Sequence, residues 1–111
     1  MNRDQLIASI LKASSPKPIR LEVDSIGPVF VRVMTAYDAD MSRKLIDAHK
    51  AKEDGCEMGR YLATLLCDEK GELLFDGNDH DTVLKLSKLA PRAQTAILQA
   101  ANQANSADPK P

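Results

Sequence analysis

Aromatic residues are nearly missing from this chain: two Phe, two Tyr and no Trp among 111 residues. A core must then be built from Leu, Ile, Val, Met and Ala, as helical domains often do. Cysteine is scarce as well. Cys56 and Cys67 are too few and too far apart for a disulfide framework, and they lack the C-x-x-C spacing of zinc or redox sites. Reduced thiols are the expectation. No apolar run approaches the roughly 20 residues that a membrane-spanning helix needs. Arg3, Asp4 and Lys12 flank an apolar patch too short for a signal peptide, so a cytoplasmic protein without a membrane partner is expected. Neither sign of charge dominates. The net charge of −1 argues against a dedicated nucleic-acid binder, which shows a basic excess.

What is present suits one compact unit. Apolar residues make up 43% of the chain, enough for a core, and the length fits a single domain over residues 1–105 with a disordered tail at 106–111. Charge is uneven along the chain. Residues 1–20 carry +3, from Arg3, Lys12, Lys17 and Arg20 against Asp4. Residues 68–81 carry −5, with six carboxylates against Lys70. Such ends favour head-to-tail contacts between copies, although a solvated loop explains the acidic run equally well.

Periodicity predicts an α+β fold: an N-terminal helix and a β-hairpin, followed by a small bundle of about four helices. Leu6, Ile7, Ile10 and Leu11 form the stripe of a short helix over 3–13, capped by Asn2 and broken by Ser14-Ser15-Pro16-Lys17-Pro18. Residues 19–24 alternate strictly and 29–34 are rich in Val, giving two strands joined through Ser25-Ile-Gly-Pro28. The second strand places Val29, Val31 and Val33 on one face, and Phe30, Arg32 and Met34 on the other. A strand apolar on both faces wants cover on both, from its own helices or from another subunit. A lone hairpin also leaves two open edges. Phe30, Arg32 and Met34 are therefore the candidate residues for self-association or partner contact.

Thr35 and Asp38 have capping-box spacing and open a helix over 36–52, with Met41, Leu45 and Ala48 inward and Lys50 and Lys52 near its end. Met58, Tyr61, Leu62, Leu65 and Leu66 form a helical stripe that predicts a helix over 56–67. The rival reading is a second hairpin of 62–67 with 72–75 across the turn at Asp68–Gly71. A short helix follows at 79–89, started by Asp79, and an Ala-rich one at 91–104, with Pro91 in its first turn.

Chemistry finds little purchase. A nucleophile site needs Ser or Cys with an organised His and acid, yet His49 reads as exposed mid-helix and His80 lies in an acidic loop. A calcium loop begun at Asp76 would put Asp81 at the glycine position and Ser87 at the closing Glu position. A zinc set of His49, Cys56, Cys67 and His80 matches no usual spacing. No phosphate-binding Gly loop is present, and the basic residues lack the aromatic interleaving of single-strand binders. No cofactor and no enzymatic activity are expected; binding remains.

From Thr35 to Asn105 the chain resembles the tail assembly chaperones of long-tailed bacteriophages and prophages. The segments that carry the likeness are TAYDADMSRKL, RYLATLLCDEKGELLF and LSKLAPRAQTAILQAANQAN, although the last ends Gln-Ala-Asn where a bulkier apolar residue usually precedes the Asn. The resemblance implies a non-catalytic protein of the host cytoplasm, absent from the mature virion. It would bind the tape measure protein, keep it soluble and help recruit the tail tube protein, in some loci through a frameshifted longer product. Homo-oligomers, as rings or spirals, would raise avidity along one long partner. The rival expectations are a structural tail completion or neck protein and, further off, a small regulatory binder.

Overall fold

The computed structural model describes residues 2–12 and 16–105. The expected disordered tail at 106–111 and the Ser14-Ser15 break lie outside them. The fold is α+β. Helix α1 (Arg3–Lys12) precedes strands β1 (Ile19–Val23) and β2 (Gly27–Val31). Helices α2 (Ala36–Ala48) and α3 (Glu57–Leu65) follow, then the two-residue strand β3 (Leu66–Cys67), α4 (His80–Ser87) and α5 (Pro91–Ala104).

β1 and β2 form the expected antiparallel hairpin, with Ile19 opposite Val31 and Val23 opposite Gly27. The turn holds Ser25 at φ 71° and Gly27 at φ 102°. A side chain at the second would be strained, so the hairpin closes where glycine permits it. Two corrections follow. The second strand ends at Val31, so Arg32, Val33 and Met34 lie beyond it. The hairpin is not alone either: β3 pairs with β2 through Phe30–Cys67 and Val31–Leu66, giving a three-stranded sheet of order β1-β2-β3. One of the two expected open edges is therefore partly closed.

The third strand also resolves the two readings of residues 56–75, each of which is right in part. α3 runs only to Leu65, and Leu66 turns to extended backbone at φ −81°, ψ 128°. Cys67 then bridges Leu73, and Leu74 donates its N–H to the Leu66 carbonyl at 3.2 Å. The helical pattern yields at Leu66 because the edge of β2 offers backbone partners that one more helical turn would not supply.

α2 stops four residues short of the expected end, so Lys50 and Lys52 fall in a loop and His49 becomes its C-cap, not a mid-helix residue. Met41 and Ala48, expected inward, are exposed; Leu45, also expected inward, is half-buried, and so is Ile46. The Thr35 capping box is present in both directions, each hydrogen bond 3.1 Å long. α4 is shorter than expected at both ends, with Asp79 as its N-cap. α5 has the expected bounds.

The core centres on α3, which packs against α2, α4 and α5. Leu62, Ala63 and Leu65 of α3 meet Val23 and Val31 of the sheet, Val83 and Leu86 of α4, and Ala93, Ile97 and Ala101 of α5. The small face of α5 lies on β1, so the close approach that its alanines permit is used within the chain. α3 and α4 also meet closely: a Cβ at Gly59 would collide with the Val83 carbonyl, and the Gly59 N–H donates to Ser87 Oγ at 2.8 Å. No helix of the described residues is long and apolar enough to cross a membrane.

Candidate interaction surface

β3 is only two residues long, so it covers β2 at Phe30 and Val31 and no further. Beyond Phe30 this edge of the sheet becomes one wall of an apolar groove of about 470 Å³. Ile26, Pro28, Val29 and Phe30 form that wall; Leu74 and Phe75 face it from the loop after β3; Leu86, Leu89 and Ile97 lie beneath. Pro28 has no N–H to donate, which suits an unpaired edge. Asp68 and Glu69 stand at the groove's acidic end. Several wall residues remain bare, with Ile26 44% and Leu74 56% exposed.

α1 is the second apolar surface. Leu6, Ile7 and Ile10 share one arc of the helix, none of its residues is buried, and Ile10 is 68% exposed. Its first turn is held locally, because Asn2 Oδ1 accepts the Gln5 N–H at 2.9 Å and Gln5 Oε1 accepts the Asn2 N–H at 3.0 Å. The molecule is correspondingly long, 53 × 31 × 25 Å, and its radius of gyration of 15.8 Å exceeds the roughly 13 Å of a compact chain of this size.

The three residues singled out from the second strand are not brought together. Phe30 lines the groove, half-buried. Met34 lies in a separate hollow with Ser42, Ile46, Tyr61 and Thr64. Arg32 is a brace between elements: its guanidinium donates to the Thr64 carbonyl at 2.7 and 3.2 Å and to Ser42 Oγ at 3.2 Å, and pairs with Asp38 at 3.3 Å. The hydrogen bonds satisfy a carbonyl at the end of α3, and the charge sits beside an acid in the first turn of α2. Asn105 closes the same region from α5. Its Nδ2 donates to the Arg32 carbonyl at 3.1 Å, and its Oδ1 accepts the Met34 N–H.

The second polar cluster went unseen in the sequence. Arg60 is 4% exposed and both of its terminal nitrogens bond the Asp54 carboxylate. This guanidinium, helped by the Cys56 N–H, holds the Asp54 carboxyl well below the usual carboxylate range, against the opposing effect of burial. Asp54, Cys56 and His80 bring their ligand atoms within 4.8 Å of one another. Of the four residues that might have gathered zinc, only Cys56 and His80 fall in this group. Metal-like donors alone do not make a cation site. Both Asp54 oxygens face the buried Arg60 cation, and a divalent ion in contact with them would have to overcome it.

The same three residues do not form a working nucleophile. Cys56 is fully buried, its thiol donates to the Asp54 carbonyl at 3.6 Å, and no substrate carbonyl can reach it. Cys67 is also buried. Burial, then Asp68, push its thiol up, Arg32 opposing, so it stays protonated. Arg60 Nε and His49 Nδ1 have no hydrogen-bond partner among the described residues, and both residues line one cavity of about 40 Å³, room for a water or two.

The acidic loop is used locally. Asp68 Oδ1 accepts the N–H groups of Lys70 and Glu72 at 2.8 and 3.0 Å, Asp76 accepts that of Asn78 at 2.9 Å, and Asp79 caps α4. These are turn and cap bonds of the kind Asp side chains make wherever the chain reverses.

Sequence reasoning missed Arg60 and Thr64, and met Asn105 only as the closing residue of a resembling segment. An arginine midway along an apolar helix was the available signal for Arg60; nothing local marks Thr64, whose carbonyl and not its side chain holds Arg32. Comparison of the chain with protein-family models, with curated proteins and with solved structures gave no match.

Proposed function

We propose that this protein is a non-catalytic tail assembly chaperone that binds the tape measure protein, keeps it soluble and helps bring tail tube subunits to it. The observation that carries the reading is the apolar groove beside β2, open to solvent and of a size that takes the large side chains of an amphipathic helix. A tape measure is a long helix with apolar stripes that aggregate when bare. A small domain with such a groove, present in many copies, covers those stripes by repeated weak contacts. The sequence segments after Thr35 that resemble this family support the same role, and the Asn105 clamp on residues 32–34 gives the closing Asn of that pattern a physical reason. The host cytoplasm is where this work takes place, with the protein left out of the finished particle.

The test is co-expression with the tape measure protein of the same locus, followed by mass spectrometry of purified virions. The tape measure protein should move into the soluble fraction and co-purify with this chain, and the virions should lack the chain. An insoluble, unbound tape measure protein would reject the role. Stoichiometric presence in virions would reject it in favour of a structural tail part.

A further inference from the structure

We infer that α1 of one chain occupies the apolar groove of a second copy, so that copies join head to tail. This deepens the self-association part of the function proposed above and rests on that part; α1 of a neighbour and a tape measure helix compete for the one groove, and the two occupancies are tested separately. Groove and helix match in chemistry. The groove is lined by Ile26, Phe30, Leu74, Phe75, Leu89 and Ile97, and α1 presents Leu6, Ile7 and Ile10 on one exposed arc. An isolated helix of ten residues is marginal in water, so α1 needs a surface to persist.

Charge selects the direction. α1 carries Arg3 and Lys12 against Asp4, a net +1, with Lys17 close behind it, whereas the charged residues that line the groove are the acids Asp68 and Glu69. A helix given to one neighbour and a groove offered to another make a heterologous interface, which closes into a ring or continues as a spiral.

Size-exclusion chromatography with light scattering on the full chain is the test. The unaltered protein should exceed monomer mass, and less so as salt is raised. Ile7→Asp with Ile10→Asp, and separately Leu74→Arg, should each give monomers that keep a cooperative thermal transition and lose no more helical circular dichroism than the fraying of α1, since all three residues are exposed. Each lost apolar contact should weaken association by at least about tenfold. Mixed, the helix variant and the groove variant should form a 1:1 heterodimer and stop there, because one retains a working groove and the other a working helix. Unchanged mass in either variant, or no heterodimer on mixing, would overturn the inference while leaving self-association through another surface. A monomeric unaltered protein would overturn both, yet tape measure co-purification would still be scored independently.

Discussion

Replacing Gly59 with alanine separates two physical forecasts that differ in sign. Helix propensity alone says that Gly→Ala inside α3 stabilises by about 1 kcal/mol. The packing of α3 on α4 says otherwise. The new methyl would run into the Val83 carbonyl oxygen and Ser87 Oγ, and the collision is with backbone, which cannot swing aside. Overpacking of this kind costs about 1 to 3 kcal/mol. If α3 lifts away, the hydrogen bond from Gly59 N–H to Ser87 Oγ goes too, for about 1 kcal/mol more. After the propensity gain, the net loss is about 1 to 3 kcal/mol. At about 2.1 cal/mol/K of unfolding entropy per residue, that lowers the Tm of this chain by roughly 4 to 13 °C. Thermal unfolding followed by circular dichroism measures it. Adding Ser87→Ala should recover only part of the loss, because the Val83 carbonyl stays in the way. A Tm equal to or above that of the unaltered protein would show that the two helices do not approach as described.

Asp54→Asn tests the buried ion pair through pH. Because the folded-state pKa of Asp54 is depressed, its contribution is present above the unfolded value near 3.9 and fades as pH falls below it. The variant should be less stable at pH 7, and its melting temperature should fall less steeply between about pH 5 and 2; parallel curves would contradict the assignment. Asn105→Ala removes the two hydrogen bonds to residues 32 and 34, and should lower the urea midpoint by the equivalent of about 1 to 2 kcal/mol. Asn105→Asp, which keeps the acceptor for Met34 N–H but not the donor, should fall between; a value equal to the unaltered protein in both variants would exclude the clamp.

Local signals carried much of the architecture. Pro91 fixed the start of α5, Thr35 with Asp38 the start of α2, and Asp79 that of α4, because each supplies or forgoes a hydrogen bond within one turn. The apolar character of both faces at Phe30 also pointed to the groove wall. Nonlocal signals failed. β2 ends at Val31, and the Arg32 side chain beyond it bonds the Thr64 carbonyl, a partner 32 positions away, so Phe30, Arg32 and Met34 do not share one strand face. α3 buries Leu62 and Leu65 of its expected stripe, and Leu66 follows them in, but the rest of its inward arc differs from the pattern. Gly59, Arg60 and Ala63 are buried while Met58 and Tyr61 are exposed, since the space there is set by Ser87, Asp54 and the sheet.

The seating of α5 on β1 has a consequence for synthesis. The ribosome releases the two five-residue strands well before α5, so Ala93, Ile97 and Ala101 meet Val23 only after the helices between them are out. Until then the valine face is bare, and pairing across so long a stretch is slow to form. A nascent chain of this protein therefore passes through an interval when it needs the same shelter from aggregation that its finished form is proposed to give.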